Sequence, residues 1–112
     1  MDCLFCRIVA GAIPARKLYE DDQVLAFHDI GPQAPVHFLV IPKRHIARPD
    51  QLTEDDRALA GHILYTAQRL AMQEGCAEGF RLVMNCNELG GQTVHHIHMH
   101  VLGQRQLHWP PG

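Results

Sequence analysis

Apolar positions along the chain follow two different rhythms. Between residues 53 and 74, Leu59, Ile63, Ala67 and Leu70 recur at intervals that keep them on one face of a helix. Thr53 can cap the first turn, Glu54, Asp55 and Asp56 suit its positive end, and Gly75 supplies the stop. The spacing predicts a long helix over 53–74 that covers a core. Residues 24–28, 36–41, 81–86 and 96–102 read instead as strands. Each is rich in β-branched or aromatic residues and bounded by Gly, Pro, Asn or Asp. Residues 17–19 make a possible fifth strand, and 4–10 a short helix ending at Gly11. Strands gathered around one long helix, without regular βαβ alternation, predict an α+β fold with a mainly antiparallel, five-stranded sheet.

The last of these strands carries the chemistry. In residues 96–101, alternation places His96, His98 and His100 on one face and Ile97, Met99 and Val101 on the other. The apolar face is expected to pack on the long helix, leaving a row of imidazoles about 7 Å apart for a site. Burial of three rings on one side is not expected, since each buried nitrogen would need its own partner. Neutral imidazole is a good nucleophile near pH 7, and the central ring, His98, has a neighbour on each side to orient it, bind an oxygen or protonate a leaving group. Just upstream, Gly90-Gly91-Gln92-Thr93 offers backbone N–H groups, an amide and a hydroxyl of the kind that phosphate oxygens favour.

Composition narrows the alternatives. The 112 residues suit one domain, and 46% hydrophobic with 20% charged residues is globular rather than disordered. A formal charge of −2 supplies no field that would draw the chain onto nucleic acid or an anionic membrane. No apolar run is long enough to span a bilayer, and Met1-Asp2-Cys3 does not begin a basic-then-apolar signal, so a cytoplasmic location is expected. The 9 histidines are the outlying count. Cys3, Cys6, Cys76 and Cys86, in such a chain, read as metal ligands or reduced thiols before disulfides.

The histidine strand fits the His-x-His-x-His-x-x pattern and resembles the histidine-triad proteins, in particular their Hint branch. Residues 27–30, 32–35, 37–43, 90–94 and the tail His108-Trp109-Pro110-Pro111-Gly112 extend the likeness over nearly the whole chain, residues 1–112 forming one such domain. The resemblance implies purine nucleoside phosphoramidase activity, that is, hydrolysis of the phosphorus–nitrogen bond of adenosine 5'-monophosphoramidates, including lysyl adenylate. It makes His98 the residue that is adenylylated and then released by water, with His100, His37 and Thr93 in support. It assigns Asp29 to the ribose hydroxyls, with Ile30 beside it, and Asn85, Gly91 and Gln92 to other nucleotide contacts. A carboxylate suits two vicinal hydroxyls, and Phe5, Ile8, Phe27 and Ile30 would suit a purine face, although the same residues also read as plain core. The resemblance further implies a homodimer with the two sheets joined edge to edge and the Trp109 tail near the partner's active site. Thr93 in place of serine keeps the hydroxyl, and Gln104, where relatives often have glycine, alters only local loop shape.

Cys3-x-x-Cys6 lacks two ligands for a zinc site on its own. The resemblance supplies His45 and His96, and a closed Cys3, Cys6, His45, His96 set would be structural, with no cofactor required for catalysis. Two other readings compete. One is a zinc hydrolase liganded by His96, His98 and His100, which a straight strand disfavours because its outer Cα atoms are about 13–14 Å apart. The other is a nucleotide-binding regulatory or adaptor protein with incidental catalysis. Within the enzyme class, dinucleoside polyphosphate hydrolysis is the alternative reaction, and the Trp109–Gly112 ending argues against it.

Overall fold

A computed structural model describes residues 3–112; Met1 and Asp2, part of the segment read for targeting, lie outside the described residues. The order of elements is α1 (Leu4–Val9), β1 (Lys17–Glu20), β2 (Val24–His28), β3 (Val36–Pro42), α2 (Arg57–Gln73), β4 (Phe80–Val83) and β5 (Met99–Gly103). The five strands form one antiparallel sheet in the order β1-β2-β3-β5-β4. This is the α+β, five-stranded arrangement expected from the sequence, with one long helix and one short one.

Strand alternation divides the core in two. Val24, Ala26, Phe38, Val40 and Val101 turn to one face, where they pack with Ile63, Ala67 and Leu70 of α2. Leu25, Phe27, Leu39 and Ile41 turn to the other, under Phe5 and Ile8 of α1. Because both faces are covered, β2 and β3 are almost continuously apolar. Among the described residues, no helix is long and apolar enough to cross a membrane.

Three elements differ from the sequence reading by more than one residue. The helix expected over 53–74 opens with a 3-10 turn, Glu54–Asp56, and becomes α-helical at Arg57. Thr53 and Asp56 form a reciprocal capping box, and Arg44 pairs with the Asp56 carboxylate from the chain after β3. The fourth strand is Phe80–Val83 rather than 81–86. The last strand begins at Met99, not at residue 96, so of the three histidines only His100 lies within a paired strand. The cause is a long-range contact: Ile97 donates its N–H to the carbonyl of Ile46, in the loop after β3, instead of to a strand neighbour.

Candidate active site

The register of β3 and β5 sets one cluster. His100 lies opposite Leu39, so His37, two residues earlier on β3, and His100 share the α1 side of the sheet. Their rings meet, with His37 Nε2 2.9 Å from His100 Nδ1. His98 continues onto this side, its ring 4.9 Å from that of His100 and 5.1 Å, edge-on, from that of Phe5. Ile97 and Val101 point the other way into the core with α2, as expected.

Contrary to the expectation of an open imidazole face, His96 is 0% exposed and His98 6%. Burial is tolerated because each ring has a nitrogen tied to a definite partner, and those partners determine the tautomers. His98 Nδ1 donates to the carbonyl of His96 at 2.7 Å, so its proton is on Nδ1 and Nε2 keeps its lone pair. His96 Nε2 donates to the carbonyl of Pro42 at 2.8 Å, leaving Nδ1 bare. The amide N–H of Gln33 donates to His37 Nδ1 at 3.0 Å, which puts the His37 proton on Nε2. From there it is directed at His100 Nδ1, so the His100 proton occupies Nε2. Electrostatics agrees: burial lowers the pKa of His37, His96 and His98, and burial followed by neighbouring His98 and His37 lowers that of His100 to about 4. At pH 7 the set is neutral, with a free lone pair on His98 and an N–H on His100.

A second cluster shares His96. Cys3, Cys6, His45 and His96 present one donor atom each, all within 4.8 Å of one another. His96 Nδ1 is 3.3 Å from Cys3 Sγ, 3.5 Å from Cys6 Sγ and 3.2 Å from His45 Nδ1, and Cys6 Sγ is 3.3 Å from His45 Nδ1. A tetrahedral zinc with ordinary bond lengths needs N–N edges of about 3.3 Å and S–N edges of about 3.6 Å, so this donor set fits. Burial, then the hydrogen bond and charge of Cys3, push the Cys6 thiol up to about 11. Asp29, His37 and His100 also lie close together. They do not suit a metal, because Gln33 N–H holds the His37 proton on Nε2, the atom that would have to bind. The three histidines of the motif therefore do not share one metal, and the zinc-hydrolase reading loses its ligand set.

The chain from residue 10 to residue 107 matches the family model described as the HIT domain. This chain belongs to the HIT domain family. It is 53% identical, over 99% of its length and 97% of the relative's, to an uncharacterised HIT-like protein of Synechococcus elongatus. Among solved structures, a HIT family hydrolase from Legionella pneumophila Philadelphia 1 superposes with a TM-score of 0.97 at 54% identity, covering 99% of this chain and 100% of that one. A histidine triad nucleotide-binding protein from Candida albicans superposes at 0.85 with 30% identity, over 95% and 77% of the two chains.

Around the histidines of this HIT domain, the other expected residues take varied places. Asp29 is half-buried, with Oδ2 3.5 Å from His37 Nε2 and Oδ1 accepting from Gly31 N–H at 2.7 Å. Phe5, Ile8 and Phe27 are buried in the α1-side core, whereas Ile30 is fully exposed beside Asp29. Asn85 is half-buried two residues beyond β4, and the Thr93 hydroxyl is exposed with no partner among the described residues.

The glycine turn corrects the sequence reading. Gly91, at φ 83°, donates its N–H to Glu88, and Gln92 donates its own to Asn87. The buried Gln92 side chain accepts from Asn87 N–H and donates to the carbonyls of Ala47 and Val94. These groups hold the turn together and are not free for a ligand. A cavity of about 610 Å³ lies elsewhere, lined by Cys76, Glu78, Arg81 and Arg105 among others and by no histidine. Both of its arginines donate to backbone carbonyls, so it is not the reactive centre. The sequence reading missed Gln33, whose contribution is a backbone N–H. No side-chain pattern signals a role of that kind.

Proposed function

We propose that this chain is a nucleoside phosphoramidase of the Hint branch, acting through a nucleotidyl-histidine intermediate. The observation that carries the reading is the His98 tautomer: a neutral ring, anchored through Nδ1–H to the His96 carbonyl, with its Nε2 lone pair unspent. His98 Nε2 attacks the phosphorus of an adenosine 5'-phosphoramidate, forming an Nε2–P bond as the P–N bond breaks. The departing amine takes the proton of His100 Nε2, while His37 Nε2–H stays hydrogen-bonded to His100 Nδ1 and stabilises the ring left behind. Water then attacks phosphorus and the Nε2–P bond breaks, returning its electron pair to His98; one water proton goes back to His100 Nε2, and the oxygen leaves with the other as part of AMP.

The remaining residues bind and orient. Asp29 accepts the ribose hydroxyls, Ile30 lies over the sugar, and Phe5, Ile8 and Phe27 form the apolar floor under a purine. Thr93 offers a hydroxyl near the phosphate and leaving nitrogen, Asn85 makes a further nucleotide contact, and Gly91 and Gln92 keep the turn in shape. Cys3, Cys6, His45 and His96 would hold a structural zinc, which when bound cross-links three separate segments of chain. The reading includes a homodimer joined through exposed sheet edges, with the Trp109 tail reaching the partner's site. The names of the Legionella hydrolase and the Candida nucleotide-binding protein support hydrolysis of a nucleotide substrate, and the substrate assignment is ours.

The test is rapid-quench intact-mass spectrometry with adenosine phosphoramidate. The wild type is expected to gain one adenylyl group transiently, and His98→Ala to lose at least about a thousandfold in kcat while still binding AMP. Product formation without any adenylylated protein, or near-normal turnover by the variant, would overturn the reading.

A further inference from the structure

The segment after β5 reaches back to the turn that precedes β3. Exposed Arg105 donates from Nε to the carbonyl of Gln33 at 2.8 Å, and from a terminal nitrogen to the carbonyl of Gln106 at 3.1 Å. Gln33 is also the residue whose N–H meets His37 Nδ1 at 3.0 Å. Its side-chain amide donates to the Gly31 carbonyl at 3.0 Å, and Gly31 N–H donates to Asp29 Oδ1. The turn over 29–33 thus carries both a carboxylate and the amide that decides which His37 nitrogen is protonated. Arg105 is the cation that grips this turn from a distant part of the chain.

We propose that Arg105 is a positioning residue: by holding the Gln33 carbonyl it keeps the adjoining Gln33 amide on His37, and so maintains the tautomers of the His37–His100 pair. The two Nε2–H forms depend on each other. If the Gln33 amide withdraws, His37 can carry its proton on Nδ1, and its bare Nε2 then faces His100 Nδ1. Two lone pairs cannot remain together at 2.9 Å, so His100 moves its proton to Nδ1 and no longer has an Nε2–H to give. Asp29 Oδ2, near the same His37 nitrogen, favours the original tautomer, so the loss of Arg105 weakens the arrangement without abolishing it. Asp29 is itself anchored inside the turn by Gly31, independently of Arg105, so substrate binding is affected less than the proton transfer.

The inference rests on the reading in which His100 supplies a proton, and its test separates the two. Side-chain nitrogen NMR of 15N-histidine-labelled protein reports each tautomer directly. In the wild type, His37 and His100 are expected in pure Nε2–H form. Arg105→Ala is expected to show a mixture at both rings, with kcat for adenosine phosphoramidate down about tenfold and KM within about twofold. Arg105→Lys, which retains one cationic donor, is expected to recover most of both signals. Arg105→Gln gives the same reading should the alanine variant fail to fold. Unchanged His37 and His100 tautomers in the alanine or glutamine variant overturn the proposal whatever the activity. An altered NMR signature in a protein that never becomes adenylylated leaves the Arg105 role standing and defeats the phosphoramidase reading instead.

Discussion

Each histidine of the triad does different work because its two ring nitrogens meet different partners. A carbonyl on one side fixes a proton there and bares the other nitrogen, which leaves His96 Nδ1 facing Cys3, Cys6 and His45 and leaves His98 with a free lone pair on Nε2. The same neutrality makes stability depend on pH. His37, His98 and His100 titrate below the ordinary histidine value, so the unfolded chain takes up protons that the native chain refuses as pH falls beneath about 6.5. Their contribution is complete above that pH and shrinks on acidification. Asp21 adds a lower step. Burial alone would raise its pKa, but the amides of Gln23 and Val24, with His62 and Tyr19, hold it well below the usual carboxylate range. Its contribution persists until pH falls below about 4. Denaturant unfolding at pH 7, 5 and 3 should show stability dropping at each stage, with Asp21→Asn flattening only the second. Equal stability at pH 7 and 5 would contradict the assignment of neutral buried rings.

At the scale of elements, the segment from His96 to Gly103 has to satisfy two environments at once. Its odd-numbered residues enter the core against α2 while its even-numbered histidines turn to the α1 side. Ile97, 1% exposed, is the pin that keeps the two faces in register although the segment is not yet paired as a strand there. Ile97→Ala is expected to cost about 2–5 kcal/mol, from lost burial plus the cavity left behind, and Ile97→Val about 1 kcal/mol. The milder variant should retain the His98 tautomer and its turnover per folded molecule. Chemical denaturation with parallel kinetics checks both, and a valine variant that is stable but inactive would show that Ile97 does more than pack. The histidine alternation was legible because a period of two survives even in extended chain outside a ladder. The strand boundaries were not, because the Ile97 bond to the Ile46 carbonyl comes from a loop about fifty residues earlier.

Across the whole molecule, Cys3 and Cys6 at the amino-terminal arm, His45 after β3 and His96 before β5 tie together regions far apart in sequence. If zinc is the tie, its removal acts on folding more than on chemistry, since His98 Nε2 and the His37–His100 pair use none of those four donor atoms. Protein purified without chelator should carry about one zinc per chain, and chelation or Cys6→Ser should lower the melting temperature by about 10 °C. Turnover per folded molecule should change little. Less than about 0.2 zinc per chain in elemental analysis would end the zinc proposal.

Local sequence was sufficient for whatever depends on period and composition: the helix face Ile63, Ala67 and Leu70, the strands at 24–28 and 36–41, the fold class, and the presence of an alternating histidine row. These follow from side-chain direction, which alternates or winds in a way set by neighbouring residues alone. Only tertiary structure decided the protonation of that row, the burial of His96 and His98, and the closure of the glycine turn on itself. Those depend on backbone carbonyls and amides such as Pro42 O, His96 O and Gln33 N–H, which every sequence possesses alike. Nothing but the folded path of the chain determines where they point.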